Sequence, residues 1–524
     1  MRERLPPGKV PWEIIADLVS AEMPAEVKLG PAHGEDAALV EIGGELWAIA
    51  SDPITFTAHD AGRLSVIVNA NDVAVRGARP RYFTAVGLIA PHEATEARIH
   101  ELLDQVRSTC DVIGVALLGG HTEVTPGLPH SLVVGTMMGR VEGRAITTGG
   151  LRAGDLIAMT RSAGLEGTAI LAGEYGERLA ALHPRAAFDE LDEHLYGDFL
   201  LVAEHALAAA RCGGVSALHD VTEGGVGEAL HEMAQASGLA IQADRDRIPI
   251  LGSTRAMCAD LGLDPLGLIG SGSLLIGCAE EGQTQLEDVF AELEVPLTWI
   301  ARARAAEARP KSNLPRFPRD ELLKTEIMAG VEAVVFDMDG TLIDSHYDWP
   351  SIRDQLGVDG ASIIDDLNGL PEPDRSQRWA ELEMIENTAS VSATVFEGAH
   401  DLLELLTDRG LPTALVTNNT DDNTRLLLDR FDLRFDVILT RDSGFYKPSG
   451  QPIREAVRRL GVDAGNCFAV GDSRYDILAA RDAGLAGVCT VNDTDGRFAT
   501  EADHSFPDIQ RLLRFLEIVL KRES

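Results

Sequence analysis

The sequence predicts a multidomain chain of α/β and α+β type that ends in a parallel-sheet domain. Three observations predict it. At 524 residues the chain is longer than one hydrophobic core serves. Its last third repeats a helix-glycine-strand unit three times. A proline- and charge-rich stretch, Ala301-Arg-Ala-Arg-Ala-Ala-Glu-Ala-Arg-Pro-Lys-Ser-Asn-Leu-Pro-Arg-Phe-Pro318, separates that third from the rest and reads as a linker.

Taken in order, residues 1–32 form a helical lead-in, because Trp12, Ile14, Ile15, Leu18 and Val19 fall at helical spacing. Residues 33–147 alternate strands and helices rich in small residues, a first domain. A second α/β section opens at Arg152-Ala-Gly-Asp-Leu-Ile-Ala-Met-Thr160, so residues 148–303 form a second domain. The linker takes 304–330.

Residues 331–524 form the third domain. The apolar run Val331-Glu-Ala-Val-Val-Phe336 is its opening strand. Three units follow: 402–409, Gly410 and strand 411–417; 453–460, Gly461 and strand 467–470; 477–483, Gly484 and strand 487–491. Glycine after each helix suits a left-handed C-cap. Helices alternating with short apolar strands imply a parallel sheet covered on both faces. The polar, helix-prone stretch 345–397 reads as an insert, packed through Trp349, Ile352, Leu356, Ile363, Ile364, Trp379, Leu382 and Ile385.

Composition excludes several classes. No apolar run is long enough to span a bilayer, and Met1-Arg-Glu-Arg-Leu-Pro-Pro lacks an apolar signal core, so a cytoplasmic protein with no membrane partner is expected. Cys110, Cys212, Cys258, Cys278, Cys467 and Cys489 form no CxxC pair, which argues against a disulfide framework or a zinc site. The net charge of −37 argues against nonspecific nucleic-acid binding. The acidic surface suits a high-salt cytoplasm, and a GC-rich genome accounts equally well for arginine outnumbering lysine.

Parallel sheets bind ligands at the carboxyl ends of their strands. Asp337-Met-Asp-Gly-Thr341 stands at the first such end, with its two carboxylates on one side. Such a pair suits phosphoryl transfer: one carboxylate attacks phosphorus and the other moves the proton. Thr417-Asn-Asn419 and Gly471-Asp-Ser473 stand at later strand ends, with Asp476 and Tyr446-Lys447-Pro448 nearby. A hydroxyl at Thr417 can hold a phosphate oxygen, and Lys447 can neutralise both phosphate and nucleophile. Asp472 can complete an oxygen-ligand Mg2+ site with Asp337 and the carbonyl of Asp339.

The set Asp337-Met-Asp-Gly-Thr341, Thr417, Lys447 and Gly471-Asp-Ser-Arg-Tyr-Asp476 resembles the four motifs of the haloacid dehalogenase superfamily, over about residues 331–520. The resemblance implies a Rossmann-like phosphatase domain for small phosphorylated metabolites. In it Asp337 is the nucleophile, Asp339 the acid and then the base, and Thr417 and Lys447 orient the phosphoryl group. Asp472 binds Mg2+, and Asp476 supports that site or Lys447. It also places a small helical cap at 345–397, as in phosphoglycolate phosphatase-like members.

Acidic and small residues also collect at strand ends in the N-terminal two sections. They are Gly34-Glu-Asp-Ala-Ala38, Ser51-Asp52-Pro53, Asn69 to Asp72 within 65–80, Gly119-Gly-His-Thr-Glu123 and Leu218-His-Asp-Val-Thr-Glu-Gly-Gly225. Glycines allow close approach of phosphates, and converging carboxylates suit Mg2+ carrying a polyphosphate. Together these segments resemble the aminoimidazole ribonucleotide synthetase superfamily over residues 33–303, with the hydrogenase-maturation carbamoyl dehydratase branch nearest. The resemblance implies a two-domain synthetase-like fold that homodimerises. It assigns Mg-ATP to Asp36, Asp52, Asp72 and Asp220, with His121 or Glu123 assisting. Glu35 replaces the usual first Asp, and His121 stands where several branches carry an acidic residue. The acceptor cysteine that branch carries at its C-terminus has no counterpart in Lys521-Arg-Glu-Ser524. These departures bear on the specific reaction more than on nucleotide binding. The N-terminal half is then either an ATP-dependent activating enzyme or kinase in its own right, or a nucleotide-sensing and dimerisation module.

Overall fold

The computed structural model describes residues 8–19, 22–55, 60–180, 198–307, 309–359, 362–499 and 501–520. It divides into two compact units, Met1–Ala259 with Leu263–Leu323, and Asp260–Gly262 with Lys324–Ser524. No described helix is long and apolar enough to cross a membrane. All six cysteines are buried and free.

Among the described residues the first unit holds two sheets. One contains β1 (Val27–Leu29), β2 (Ala38–Ile42), β3 (Glu45–Ala50), β4 (Pro53–Ile54), β5 (Ala78–Ile89), β6 (Ala116–Val124) and β7 (Leu132–Val141), in the order β1-β2-β3-β7-β5-β6, with β4 also on β7. Gly43 and Gly44, both at positive φ, make the two-residue turn between β2 and β3. β5 and β6 run parallel, joined by the helix Glu96–Ile113, which Thr95 caps at its start and Gly114 at its end. The helix Ala61–Ala74 is buried at every position but Arg63, so its polar residues must be satisfied inside. Asn69 bonds the backbone of Asp52 in both directions, and Asn71 bonds Leu200 O and Val202 N. These two asparagines brace the fold and leave Asp72 as that helix's contribution to a site.

The other sheet, β8 (Leu156–Thr160), β9 (Val215–Asp220), β10 (Leu239–Ala243), β11 (Leu274–Cys278) and β12 (Leu297–Ala305), is antiparallel in the order β10-β12-β8-β11-β9. Strand alternation gives it two cores. Ile157, Met159, Ala217 and Leu275 face one, and Ala158, Val215, Leu218, Leu274 and Ile276 face the other.

Two expectations are corrected here. The lead-in holds a helix, Trp12–Val19, but also β1, which pairs with β2. The stretch 304–330 is no free linker. Asn313 pairs with the backbone of Ala243 at 2.7 and 3.0 Å, and Leu314 and Phe317 enter the core of the first unit. Gly267 exists for that contact, since a Cβ there would lie 2.2 Å from the Phe317 ring. Prolines suit an extended strap with few backbone donors to satisfy, and two apolar anchors are enough to seat it.

The second unit is built on a parallel sheet of β13 (Ala333–Phe336), β16 (Thr413–Val416), β17 (Val437–Leu439), β18 (Cys467–Gly471), β19 (Gly487–Thr490) and β20 (His504–Ser505), with β14 (Ile343–Asp344) and β15 (Thr394–Val395) forming a separate antiparallel pair. The order β17-β16-β13-β18-β19-β20 puts the opening strand centrally. Gly461 and Gly484 are left-handed C-caps, as their place in the sequence predicts. Between β14 and β15 lie the helices Trp349–Leu356, Ile363–Gly369 and Asp374–Ser392, a small cap with its own core of Ile352, Leu356, Val358, Ile363, Leu367 and Leu382. Trp349 departs from expectation: it is 44% exposed and stays out of that core.

His504 lies among aromatic rings, 4.6 Å from Phe515 and 5.7 Å from Phe506 by centroid. Burial, with Lys324 adding to it, pushes its imidazole down to about 3. The folded state therefore prefers it neutral. Its stabilising share is complete above the ordinary histidine value near 6.5 and is lost as pH falls toward 3. Between pH 7 and pH 5 that loss is about 2 kcal/mol. Urea denaturation at the two pH values should show His504→Phe losing this part of the pH dependence.

Candidate active site

β13 runs directly into Asp337, whose N–H bonds Val470 O at 2.9 Å on the neighbouring β18. Strand alternation turns Met338 into the core and leaves Asp337 and Asp339 on one side. Gly340 turns at φ 81°, and a Cβ on it would lie 2.2 Å from Asp472 Oδ2, so only glycine allows this approach. Asn492 fastens the turn by donating to the carbonyls of Gly340 and Thr341.

Asp339 is held from two sides, by Ser345 Oγ at 2.5 Å and Asn419 Nδ2 at 3.1 Å. Thr417 is buried just after β16. Lys447 places Nζ 2.6 Å from Asp337 Oδ1 and 2.5 Å from Asp476 Oδ1, while Asn418 clamps its backbone at both N and O. The other oxygen of Asp476 accepts from Ser473 N and Oγ. Both Asp476 oxygens are thus engaged by the protein. Of the two roles open to it, holding Lys447 is the one its contacts describe.

Carboxylate oxygens of Asp337, Asp472 and Asp476 lie within 4.8 Å of one another. Burial pushes Asp337 up to about 7; Lys447 opposes this, and Asp476 and Asp339 add to it. Burial, then Asp476 and Asp337, hold Asp472 well above the carboxylate range. Burial also raises Asp339, against its bonds from Ser345 and Asn419. For Lys447, burial works downward, but the two flanking carboxylates prevail and hold it above its ordinary value. One ammonium among so many carboxylates leaves a deficit of positive charge that a hard divalent cation on oxygen ligands would fill. Sequence reasoning missed Ser345 and missed Asn419 as the partner of Asp339. It also missed the Arg441–Glu386 pair, which carries no local signature.

In the first unit, Asp36 Oδ2 takes Arg76 at 2.7 Å and His219 Nδ1 at 2.9 Å. Arg76 also pairs with Glu35 at 3.1 Å. The other ring nitrogen of His219 meets Glu232 at 3.1 Å, and Glu232 meets Lys9 at 3.0 Å. Burial opposes charge on His219, yet Asp36 and Glu232 raise it to about 10, and a carboxylate meets each ring nitrogen. One ligand atom each of Asp36, His219 and Asp220 also lie within 4.8 Å of one another. Arg76, His219, Glu232 and Lys9 were not singled out in the sequence.

Asp72 is raised well above the carboxylate range by burial and by Asp220 and Asp52; Asp220 rises to about 7 through burial and Asp36. Asp72 Oδ2 and both Asp220 oxygens are buried without a hydrogen-bond partner among the described residues. Unpartnered buried carboxylate oxygens fit a Mg2+ site. His121 and Glu123 stand apart. They lie on β6, 64% and 52% exposed, bonded to each other at 3.1 Å. No described hydrogen bond or ion pair joins them to the acidic cluster.

Three family models match the chain. The AIR synthase related N-terminal domain covers residues 34–141, its C-terminal domain 152–308, and the haloacid dehalogenase-like hydrolase 361–484. Carbamoyl dehydratase HypE of Azotobacter vinelandii is 32% identical over 46% of this chain and 68% of its own length. An uncharacterized hydrolase of Saccharomyces cerevisiae is 28% identical over 36% of this chain and 91% of its own length. A crystal structure of the hydrogenase maturation protein HypE in complex with ATP is 25% identical, covers 52% of this chain and 82% of that one, and has a TM-score of 0.45. The chain thus belongs to the AIR synthase related family, as a HypE-like member that continues into a haloacid dehalogenase-like hydrolase domain.

Proposed function

We propose that the hydrolase domain is a Mg2+-dependent phosphatase of small phosphorylated metabolites, with a cap of the phosphoglycolate phosphatase-like kind. The observation that carries this reading is Asp337 facing Lys447 at 2.6 Å while Asp339, on the same side, is held by Ser345 and Asn419. Asp337 attacks phosphorus, forming an aspartyl-phosphate as the ester P–O bond breaks. Asp339 gives its proton to the departing oxygen. Water then attacks the same phosphorus, Asp339 takes its proton, and Asp337 is released with phosphate. Thr417 and Lys447 hold the phosphoryl oxygens, and Lys447 is itself held by Asp476. Mg2+ bound by Asp337, the Asp339 carbonyl and Asp472 would supply the remaining neutralisation of phosphoryl charge. Phosphate release from a panel of phosphomonoesters tests this. Turnover should require Mg2+ and stop with EDTA, and turnover insensitive to EDTA would overturn the metal assignment.

For the first unit we propose Mg-ATP binding at Asp36, Asp52, Asp72 and Asp220, carried by the unpartnered oxygens of Asp72 and Asp220. Asp36 acts there as the anion that keeps His219 charged. The edge strand β6, exposed along its whole length, supports dimerisation through this unit, which would cover His121 and Glu123. Asp220→Asn should weaken Mg-dependent ATP binding more than tenfold by calorimetry. ATP turnover measured with Asp337→Asn then separates an enzyme from a nucleotide sensor, since only the enzyme consumes ATP.

A further inference from the structure

The cavity over Asp337, about 290 Å3, has two unlike ends. Asp337, Asp339, Thr417, Lys447 and Asp472 line the phosphoryl end. Tyr347, Trp349, Ile363, Ile364 and Leu382 line the end under the cap together with Arg353, Ser362 and Tyr475. The charges at that end are largely spent on each other. Arg441 and Glu386, 8% and 7% exposed, form a two-pronged pair, and the Arg441 guanidinium also sits 5.1 Å over the Trp379 ring. Arg353 reaches the Tyr475 hydroxyl at 3.5 Å.

Trp349 is the odd feature. Asp348 caps the helix it opens, yet the indole stays outside the cap core and half in solvent. Its ring lies 4.7 Å from that of Tyr347, tilted by 37°. An exposed tryptophan paired with a tyrosine on the wall of a catalytic cavity is a surface for a flat apolar group.

We propose that the alcohol released by this site is aromatic, its ring lying against Tyr347 and Trp349 and facing Ile363, Ile364 and Leu382. This rests on the phosphatase reading above. A polyol phosphate would lay part of its length on Ile363, Ile364 and Leu382, which can return no hydrogen bond, and would keep Ser362, Arg353 and Tyr475 as polar contacts beside them. The cavity holds roughly ten waters' worth of space, at the small end for ligand pockets. An arylmethyl phosphate suits that size.

Benzyl phosphate is the right probe, because its leaving group is a primary alcohol, like that of a sugar phosphate. Preference then reports binding rather than leaving-group reactivity. With the full-length protein and Mg2+, kcat/KM for benzyl phosphate should exceed that for ribose 5-phosphate, glycerol 3-phosphate and phosphoglycolate at least tenfold, mostly through KM. Trp349→Ala should raise KM for benzyl phosphate about tenfold with a smaller change in kcat, and Trp349→Phe should restore most of it. Equal or better turnover of the polyol or carboxylate esters overturns the proposal while leaving the phosphatase reading standing. So does a Trp349→Ala effect that is the same for every ester. Absence of turnover of every ester, or hydrolysis unchanged in Asp337→Asn, overturns the phosphatase reading and this proposal with it.

Discussion

Asp337→Asn should lower phosphomonoester hydrolysis by about 10,000-fold or more while the protein stays folded. An amide has the shape of the carboxylate but not its nucleophilic oxygen, and among the described residues no other carboxylate is equivalently placed. Asp339 is tied to Ser345 and Asn419, and Asp476 to Lys447 and Ser473. Stability should move the other way. Asp337 is raised to about 7 by burial, so the folded state favours its protonated form. Its contribution to stability is complete below the ordinary aspartate value near 3.9 and is lost as pH rises through about 7. Without Mg2+, the variant at pH 8 should melt at the wild-type temperature or higher. Thermal melts with phosphate-release assays read both effects. A rate within tenfold of wild type would remove Asp337 as the nucleophile.

Lys447→Met should abolish turnover and also destabilise the hydrolase domain, by about 3–5 kcal/mol. The ammonium is buried and touches two buried carboxylates, at 2.6 and 2.5 Å. Methionine fills much of the volume but leaves both uncompensated. Adding Asp476→Asn should recover part of the stability and none of the activity, a coupling that only adjacent groups show. Denaturant midpoints of the two single variants and the double variant measure it. Strict additivity would mean that Lys447 and Asp476 do not act as a pair.

The hydrolase site was legible because its residues sit in short motifs at strand ends, where a parallel sheet gathers them from any distance along the chain. Asp337 and Lys447 are 110 positions apart yet meet because β13 and its neighbours end on one edge. Ser345 and Asn419 were harder to see, because a serine and an asparagine are common turn residues until the acid they hold is in place. Arg441–Glu386 was hidden for a different reason: it joins the cap helix to the loop after β17, and no local spacing foretells that pairing. The acidic strand ends of the first unit were visible as carboxylates. Their counter-charges, Arg76 and His219, reach Asp36 from 40 and 183 positions away.

The strap at 304–330 shows the limit most directly. Between Ala305, where β12 ends, and Leu322, where a helix running to Ala329 begins, proline and charge describe a segment whose described residues build no helix or strand, and that much is local. Whether Phe317 is buried depends on glycines at 227 and 267 leaving room for its phenyl ring. Trp349 shows the reverse, an apolar residue at a helical position that the cap core leaves outside.

By itself the sequence determined most of the elements, the order of the α/β sections, the parallel sheet and the presence of a hydrolase domain. Periodicity, capping and strand-end motifs are properties of a few neighbouring residues. Tertiary structure alone decided which carboxylates are crowded, which cation answers each and what lines the leaving-group end of the cavity. Electrostatics and packing depend on distance in space, and only the folded chain sets that distance.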